Sequence, residues 1–587
     1  MQDLTTLDVE VDLEAVRALY RREREKRIHP DGSAQYRPMA DELAHFVDDP
    51  YTPRVEREPV HDHVEVAVLG GGFGGLLLGA RLREAGVEDL RLVEQGGDFG
   101  GTWYWNRYPG AACDTEAYIY LPLLEEVGYV PTEKYVKGPE IFEHSRRIAR
   151  HFDLYRSALL QTRVTDVSWD ETAGLWTIET DRGDRFTAKY VCMTTGAMSK
   201  PKLPGVPGIE DFEGRAFHTT RWDYDYTGGA PTGGLSGLAD KRVAVVGTGA
   251  TGIQAIPHVA ASAQHTYVVQ RTPSSVNVRA NRPTDPAWAA ALEPGWQRER
   301  MRNFSLYVSG GDAETDLVND GWTAIYRLRA LGSGVLDERL DYLKMEEIRA
   351  RVDAVVKDPR TAAGLKPYYR ALCKRPCFHD EYLDAFNRPN VTLLDTEGRG
   401  LERVTRTGIV VNGEEHPVDC IIFASGFTSG GPFARRLGYD VHGPDGLALS
   451  EKFKSGISTL FGMQTHGFPN FFLVAPSQVG VSSNQTHVLD VQARHIAKIV
   501  AEARSRGADT VEATQEAEDQ WVRTVIDASR ADLEFLSSCT PGYYNNEGNP
   551  VLEIFRRNGA YSPGIVAFDD LLDDWHATGL FEGLAFK

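Results

Sequence analysis

The stretch HVEVAVLGGGFGGLLLGARLREAG, residues 63–86, decides the fold of this chain. The apolar run from Val64 to Leu69 predicts a buried strand, and the glycines after it follow the spacing G-x-G-x-x-G: Gly70, Gly72 and Gly75. Glycines at this spacing permit a tight turn and let backbone N–H groups approach a pyrophosphate at the N-terminus of the next helix. We name residues 70–75 the first glycine motif. It predicts a βαβ unit that binds a dinucleotide.

An acidic residue after the next strand indicates which dinucleotide binds. The segment LRLVE ends in Glu94, about 20 residues beyond the first glycine motif. A carboxylate at this position accepts a hydrogen bond from a free ribose 2′-hydroxyl, which favours FAD or NAD over NADP. The alternative is a glycine-rich turn that binds no ligand.

A second glycine motif lies in KRVAVVGTGATGIQAIPHVA, residues 241–260, and repeats the same spacing from Gly247 to Gly252. Here Gln270 stands at the end of the following strand, where the acid would be, and Arg271 comes next. An arginine matches the oxygens of a 2′-phosphate, so this unit predicts NADPH. The alternative is a surface arginine after an edge strand. The predicted NADP contacts are Thr248, Gly249, Ala250, Thr251, Gly252, Ile253, Gln254, Arg271 and Thr272.

Composition excludes several classes of function. The 587 residues carry 84 acidic and 64 basic side chains, a net charge of −20, which argues against a nucleic-acid-binding protein. No apolar run reaches the roughly 20 residues that a membrane span needs. The six cysteines form no dense framework, which predicts a reducing cytoplasm.

The cysteines also bear on the fate of the electrons, because two dinucleotide sites imply hydride transfer from NADPH to a flavin. A disulfide reductase needs two cysteines beside the flavin, but only Cys113 follows the first glycine motif closely. Cys373 and Cys377, with His379 nearby, do not complete a metal cluster. We therefore predict no metal site, and we interpret these two cysteines as thiols that flank a functional loop.

A connector between the two glycine motifs carries the most specific pattern. FEGRAFHTTRWD, residues 212–223, has the spacing F-x-G-x-x-x-H-x-x-x-W-[PD] and resembles the hallmark of type I Baeyer–Villiger monooxygenases at five positions: Phe212, Gly214, His218, Trp222 and Asp223. We call this segment the linker motif. Three further segments are similar to the family's flavin-contacting segment, catalytic loop and return strand: residues 100–114, 373–377 and 421–427, with Ser425 in place of threonine. The resemblance extends from about Val64 to the C-terminus.

The resemblance implies a reaction and a set of residues. NADPH reduces FAD, O2 adds to give a C4a-peroxyflavin, and one oxygen atom is inserted next to a ketone carbonyl to form an ester or lactone. Arg375 is implied as the catalytic cation and Asp114 as the carboxylate that orients it, while Lys374 and Arg375 join the NADP contacts. The linker motif is implied to couple domain motions, so we do not predict His218 as a catalytic base. The implied FAD contacts are Gly70, Gly72, Phe73, Gly75, Glu94, Thr102, Trp103, Tyr104, Trp105, Asp114, Tyr120, Val164 and Gln485.

Two departures from the family pattern point to a subgroup. About 60 residues precede the first glycine motif, and the C-terminal loop SSCTPGYYNNEGN, residues 537–549, lacks the tryptophan of many members. Both features resemble enzymes that act on large-ring, polycyclic or terpenoid ketones, including those that form sesquiterpenoid lactones. Which residue replaces the tryptophan, and which ketone binds, the sequence does not decide.

The predicted architecture is α/β, with two Rossmann-like domains for FAD and NADP, a helical insert and an N-terminal extension. The alternatives left open are a flavin-dependent N- or S-oxygenase and a flavin- and NADP-binding sensor without turnover. The predicted partners are a ketone and O2, with no nucleic acid and no membrane. The oligomeric state is left open, a monomer included. The predicted segments are 1–62, N-terminal helical extension; 63–205 and 425–587, FAD-binding domain; 206–279 and 371–424, NADP-binding domain; and 280–370, helical subdomain.

Overall fold

A computed structural model describes residues 11–39, 41–196, 198–311, 313–328, 337–428, 437–530 and 532–587. The first ten residues of the predicted N-terminal extension lie outside the described residues, as do residues 329–336 of the predicted helical subdomain.

The first glycine motif lies in the larger of two sheets. Strand His63–Leu69 leads through the motif into helix Phe73–Glu84, and strand Leu90–Val93 then pairs parallel to the first. A Cβ atom on Gly75 would lie 1.9 Å from the Gly70 carbonyl oxygen, so only glycine fits there. The strands of this sheet run in the order Val441–His442, Val164–Asp170, Leu175–Thr180, Arg185–Met193, His63–Leu69, Leu90–Val93 and Ala158–Leu159, with Phe471–Leu473 also paired to Arg185–Met193.

The second glycine motif lies in a separate, wholly parallel sheet. Its order is Val391–Asp395, His265–Gln270, Arg242–Val246, Cys420–Phe423 and Arg215–His218. The motif connects Arg242–Val246 to helix Ala250–Ser262. A Cβ atom on Gly252 would lie 2.2 Å from the Gly247 carbonyl oxygen, which repeats the constraint of the first motif. The predicted fold of two Rossmann-like units is confirmed.

The remaining strands are short and connect distant segments. A three-stranded antiparallel ribbon comprises Arg403–Val404, Gly408–Val411 and Glu414–Pro417. Two-stranded pairs join Tyr36–Arg37 to Leu203–Pro204, Val276–Asn277 to Cys377–Phe378, and Val511–Ala513 to Leu584–Phe586.

Helices cover the two sheets and fill the predicted insert. Helix Phe73–Glu84 is apolar on nearly every side because helix Gln485–Arg506 packs on it and encloses it between that helix and the sheet. The insert contains helices Pro286–Ala290, Trp296–Val308, Gly321–Tyr326, Glu338–Val355 and Pro359–Leu365. The other helices of eight or more residues are Leu13–Glu25, Gly138–His151, Gln515–Ala528 and Ile565–Ala577. The shorter ones are Thr102–Trp105, Ala117–Tyr120, Tyr224–Thr227, Tyr382–Ala385, Leu449–Lys452, Leu533–Ser538 and Leu552–Arg557. None of the described helices is long and apolar enough to span a bilayer.

The N-terminal extension is tied to two other parts of the chain. Its predicted helix spans Leu13–Glu25 and is capped by the Asp12 side chain, which accepts a hydrogen bond from the Ala15 N–H. The buried Tyr20 hydroxyl of this helix accepts a hydrogen bond of 3.0 Å from Arg349 of the helical insert. Farther on, the strand Tyr36–Arg37 binds the segment that leads to the linker motif.

The glycine-rich segment of residues 226–240 predicts a flexible surface excursion before the second Rossmann unit, and most of its residues do lie at the surface. In the structure Leu235 and Leu238 are fully buried in the same apolar cluster as Trp222. The two leucines anchor a segment whose glycines alone suggested freedom.

The structure corrects the prediction that Cys373 and Cys377 are both free thiols. Cys373 is not a free thiol beside the functional loop, because it forms a disulfide with Cys539 across 166 residues of sequence. Cys377 is free, as are Cys113, Cys192 and Cys420. The disulfide joins the segment that contains Lys374 and Arg375 to the C-terminal loop, a contact between distant parts of the chain that spacing alone does not reveal.

A thiol count tests this pairing. Protein purified and denatured without reductant is expected to expose four reactive thiols, because two of its six cysteines are bonded to each other. Prior reduction should raise the count to that of all six cysteines. The Cys539→Ser variant is the control, since it frees Cys373 and should show five thiols without reductant (six cysteines less the one replaced). A count of six in the unreduced wild-type protein would contradict the disulfide.

Candidate active site

An ion pair between Arg375 and Asp114 forms the centre of the candidate site. The guanidinium donates two hydrogen bonds to the carboxylate, Nη1 to Oδ2 at 2.6 Å and Nη2 to Oδ1 at 2.5 Å. Asp114 is 5% exposed, while the Arg375 side chain keeps 31% of its surface. Burial opposes the charge on Arg375, but Asp114 holds the pKa of Arg375 well above its usual value. The site therefore presents a permanent cation that is fixed from behind and open in front.

Both members of the pair are positioned by neighbouring segments. The strand Cys377–Phe378, which begins two residues after Arg375, pairs parallel to Val276–Asn277, six residues beyond the strand His265–Gln270. Trp322 of the helical insert donates its indole N–H to the Asp114 carbonyl at 3.1 Å, and the Arg375 guanidinium lies 5.4 Å from the centre of its ring. The site is thus assembled from three separate parts of the chain. The sequence analysis missed Trp322, because nothing in its local pattern distinguishes it from a core tryptophan.

Three of the residues predicted to contact FAD form one aromatic group. The Trp103 indole donates to the Tyr120 hydroxyl at 3.1 Å, and the Tyr120 ring meets Phe73 edge to face at 5.8 Å between ring centres. Phe73 opens the helix after the first glycine motif. Beside this group, burial raises the pKa of the Cys113 thiol to about 12, so the thiol stays protonated at neutral pH.

Glu94 lies where the first glycine motif predicts a ribose-binding acid. Its carboxylate is 6% exposed and accepts hydrogen bonds of 2.6 Å from the backbone N–H groups of Gly71 and Gly96. Burial raises the pKa of Glu94, and these donors lower it. The carboxylate is therefore fixed against the glycine motif, and its four lone-pair positions leave room for a further donor.

The other predicted FAD contacts are not all brought together. Thr102 is exposed at the start of helix Thr102–Trp105, and Gln485 is exposed at the start of helix Gln485–Arg506. The Tyr104 hydroxyl turns away to Thr52, 2.8 Å distant in the N-terminal extension. Val164 packs in the core of the larger sheet. Their roles stay predictions.

The second glycine motif contacts the strand that follows it and the segment predicted to contact FAD. The Thr248 hydroxyl donates to the Thr272 carbonyl at 3.2 Å. The Gln254 amide donates to the Ala112 carbonyl at 2.8 Å and accepts from the Tyr108 hydroxyl at the same distance. Gln254 therefore joins the two units through its side chain. Ile253 and Gly252 are buried, whereas Gly249, Ala250 and Thr251 retain solvent access.

Arg271 lies in a cluster of cations that the sequence analysis predicted only in part. Its Nη1 donates to Gln35 at 2.7 Å and to the Tyr36 hydroxyl at 3.1 Å, so the N-terminal extension holds it. The Lys202 ammonium lies 3.4 Å from the centre of the Tyr36 ring. Burial lowers the pKa of Lys374, and the nearby charge of Arg271 lowers it further, to about 8. We name Arg271, Lys202 and Lys374 the cation cluster.

The linker motif forms the edge of the smaller sheet and turns back against it. His218 ends strand Arg215–His218, and the fully buried Trp222 donates its indole N–H to the Thr227 hydroxyl at 3.0 Å. Asp223 caps helix Tyr224–Thr227. Phe212 packs partly buried behind the sheet, and its ring lies against Gly214.

A tyrosine of the N-terminal extension connects the linker motif to the predicted flavin segment. The Tyr51 hydroxyl donates to the Trp105 carbonyl at 3.3 Å and accepts from the Trp222 backbone N–H at 2.9 Å. The Arg221 guanidinium lies 3.6 Å from the centre of the Trp105 ring. Tyr51 carries no local signal in the sequence, so it could not be predicted.

The residues present fit two dinucleotides. The Gly249 Cβ direction is open, with no described atom within 4 Å, which leaves room for a pyrophosphate at the helix N-terminus. Among the described residues, the buried Thr272 hydroxyl oxygen has no hydrogen-bond partner, and it lies next to Arg271. An orphaned hydroxyl beside a cation suits a phosphate oxygen. The described residues include no group of His, Cys, Asp and Glu side chains suited to a metal ion.

Comparisons with known proteins agree with this geometry. The family model for pyridine nucleotide-disulphide oxidoreductases matches residues 67–303, which contain both glycine motifs and the linker motif. The chain is 53% identical over 580 residues to neopentalenolactone D synthase of Streptomyces avermitilis, covering 96% of this chain and 98% of that protein. It is 50% identical over 599 residues to a Baeyer–Villiger monooxygenase of Streptomyces coelicolor, covering 98% and 97%.

Among solved structures, the polycyclic ketone monooxygenase of the fungus Thermothelomyces thermophila superposes with a TM-score of 0.91 at 37% identity, covering 98% of this chain and 99% of that one. This likeness extends over both sheets, the helical insert and the C-terminal segment. With relatives of about half identical sequence along nearly its whole length, the chain belongs to the Baeyer–Villiger monooxygenases.

Proposed function

We propose that this chain converts a bulky cyclic, polycyclic or terpenoid ketone into an ester or lactone at the Arg375–Asp114 pair. The overall reaction consumes the ketone, O2, NADPH and one proton, and yields the ester, water and NADP⁺. The observation that carries the proposal is the cation at Arg375, which Asp114 fixes from behind and which is exposed on its other side.

FAD and NADPH are the cofactors. When bound, they supply the electrons that activate O2. The first glycine motif and Glu94 would hold the FAD pyrophosphate and ribose, and the second glycine motif with the cation cluster would hold NADP. Phe73, Trp103 and Tyr120 form an aromatic group beside the first glycine motif, where we propose that FAD binds.

Arg375 would stabilise negative charge on the oxygen atoms that react. A guanidinium keeps its proton at any physiological pH, so the charge needs no proton transfer to appear. Charge that is already oriented costs no reorganisation when the transition state forms. The two hydrogen bonds to Asp114 limit the rotation of the guanidinium, and Trp322 limits the movement of Asp114. In this arrangement Asp114 is a positioning residue.

The substrate class rests on the relatives and on the mouth of the site. Pentalenolactone-type lactone synthases and a polycyclic ketone monooxygenase are among the proteins most similar to this chain. The C-terminal loop presents Tyr543 and Tyr544, 41% and 39% exposed. Burial raises the pKa of both hydroxyls, and the charge of Arg375 is close enough to oppose the rise. Exposed aromatic rings beside a cation suit a large apolar ketone whose oxygen faces the charge.

Two alternative functions can be distinguished from ester formation by their products and by their consumption of NADPH. A flavin-dependent N- or S-oxygenase would give an N-oxide or sulfoxide, and a non-catalytic sensor would consume no NADPH. The Arg375–Asp114 pair favours ester formation over both. We propose a cytoplasmic location. The four free cysteines support this location, whereas the Cys373–Cys539 disulfide argues against it.

Removal of the cation tests the catalytic role. Arg375→Ala is expected to lower the rate of ester formation by about 100- to 1000-fold, because a fixed charge at the reacting oxygen is lost. FAD content and NADP⁺ affinity should fall much less. The measurement is ester formed per bound flavin, by gas chromatography with ¹⁸O2. Arg185→Ala is the matched control, since Arg185 is 69% exposed and pairs with Glu179 on the neighbouring strand of the larger sheet. Ester formation at the wild-type rate in Arg375→Ala would contradict the role.

Substrate size gives a second test. A fused-ring sesquiterpenoid ketone is expected to have a kcat/KM at least about tenfold above that of cyclohexanone, because each buried methylene adds about 0.8 kcal/mol. Initial rates of NADPH oxidation, coupled to product analysis, measure both. Efficient turnover of cyclohexanone with none of the bulky ketone would contradict the proposed substrate class.

The affinity for NADP⁺ should depend on pH. Burial lowers the pKa of Lys202 and of Lys374 from the usual lysine value to about 8. Below that pH both ammonium groups are charged and attract the 2′-phosphate, and above it they lose their charge while Arg271 keeps its own. Calorimetric titration of the FAD-loaded enzyme should therefore show binding that weakens about tenfold between pH 7 and pH 9.5.

The titratable groups that act on both lysines are Arg271 and Glu547, and Cys377 and Arg27 also act on Lys374. Lys374→Met is expected to reduce the dependence on pH but not to remove it, because Lys202 still titrates, and NAD⁺ binding should show none. A flat profile in the wild-type enzyme would refute the assignment of the lysines to the phosphate.

A further inference from the structure

A buried carboxylate lies within the cation cluster. Glu547, from the C-terminal loop, is 5% exposed. Its Oε2 lies 3.4 Å from Arg271 Nη2, and its Oε1 lies 3.8 Å from Lys202 Nζ. This acid thus contacts Arg271 and Lys202, two of the side chains that we propose bind the 2′-phosphate of NADP(H).

The loop holds this carboxylate in place through an uncommon backbone conformation. Asn546 and Glu547 have φ values of 52° and 53°, a left-handed conformation that residues other than glycine adopt at some cost. The Glu547 N–H donates to the Gly542 carbonyl at 2.8 Å. The Asn545 side chain fastens the same loop by donating to the Cys539 carbonyl at 3.1 Å. The folded loop is therefore built so that Glu547 reaches the cations.

The match between the carboxylate and the cations is nevertheless loose. Charge-assisted hydrogen bonds are usually about 2.7–2.9 Å long, and both contacts of Glu547 exceed that length. One carboxylate also leaves the cation cluster with an excess of positive charge when Lys202 and Lys374 are protonated. A phosphate brings up to two negative charges and three oxygen atoms, so it would satisfy the cluster better than the carboxylate does.

We propose that Glu547 is an internal occupant of the 2′-phosphate site and a specificity-determining residue for the nicotinamide cofactor. The inference rests on the proposed role of Arg271. A cofactor with a 2′-phosphate displaces the carboxylate and gains the cations. A cofactor with a free 2′-hydroxyl leaves the Arg271–Glu547 pair intact and gains nothing from it. Glu547 therefore lowers the affinity for NADP(H). Its displacement is a signal that only a cofactor with a 2′-phosphate can give.

The signal reaches the candidate active site through the loop. Tyr543 and Tyr544 lie four and three residues before Glu547, and their ring centres are 4.4 Å apart. Burial raises the pKa of both hydroxyls, and the charge of Arg375 opposes this rise. The Cys373–Cys539 disulfide joins the start of this loop to the segment of Lys374 and Arg375. Displacement of Glu547 by the phosphate thus releases the end of the loop while the disulfide keeps its beginning beside Arg375.

Calorimetric binding of adenosine 2′,5′-bisphosphate to the FAD-loaded enzyme tests the proposal. Glu547→Gln keeps the shape of the side chain and removes its charge. This variant is expected to bind the bisphosphate about tenfold more tightly than wild type, because an internal competitor has lost its attraction to the cations. Binding of 5′-AMP, which lacks the 2′-phosphate, should stay unchanged. Glu553→Gln, an exposed site on the neighbouring helix, is the matched control for the loss of one negative charge.

The outcomes separate this inference from the proposed function. Arg271→Ala should weaken bisphosphate binding at least about tenfold. If it does not, the assignment of the 2′-phosphate site fails and the inference fails with it. If Arg271→Ala weakens binding but Glu547→Gln binds no more tightly than wild type, the inference alone is overturned. An equal gain for 5′-AMP in Glu547→Gln would also overturn it, since the effect would not depend on the phosphate.

Hydrogen exchange of the wild-type holoenzyme gives a readout that needs no variant. Backbone amides of residues 542–549 are expected to exchange faster when the bisphosphate is bound, because the Glu547 contacts are broken. The same amides should be unaffected by 5′-AMP. Unchanged or slower exchange in this segment with the bisphosphate bound would overturn the displacement of Glu547.

Discussion

The ion pair between Arg375 and Asp114 is the interaction on which the rest of the site depends. A buried carboxylate is tolerated only when a cation and hydrogen bonds compensate for lost water, and Asp114 has both in Arg375. The two residues are 261 positions apart and belong to different Rossmann units. Their pairing therefore requires that the two units hold one relative position, which Trp322 and the disulfide at Cys373 help to maintain.

The N-terminal extension is a structural part of both cofactor regions. Tyr51 contacts both the predicted flavin segment and the linker motif, and Tyr36 contacts Arg271 and Lys202 of the cation cluster. Tyr20 reaches the helical insert through Arg349. Through Tyr51, Tyr36 and Tyr20 the extension contacts the linker motif, the cation cluster and the helical insert. These contacts help to fix the positions of the three parts relative to one another.

The sequence predicted what depends on neighbouring residues and missed what depends on distant ones. The spacing of Gly70 and Gly75 reports a steric constraint within a single turn, so the fold around it was predictable. Arg271 was predictable for the same reason, since it follows its strand directly. The partners of Arg271, and the contact of Trp322 with Asp114, join segments far apart in the chain, and no local pattern encodes them. Glycine content alone did not reveal that residues 226–240 are anchored in the core, because the anchoring depends on two buried leucines, Leu235 and Leu238.

The contacts of His218 and Trp222 explain why a histidine and a tryptophan occupy the connector between the two glycine motifs. Burial lowers the pKa of His218 to about 3, so the ring is neutral, and its Nδ1 accepts a hydrogen bond of 3.2 Å from the Thr220 N–H. A neutral imidazole that accepts from its own turn shapes the backbone and cannot serve as an acid at working pH. Trp222 fills the core behind that turn, and its backbone N–H binds Tyr51, which also binds the carbonyl of Trp105. These contacts form one chain from the edge of the smaller sheet to the predicted flavin segment, and the coupling of the two units that we predict for the linker motif depends on them.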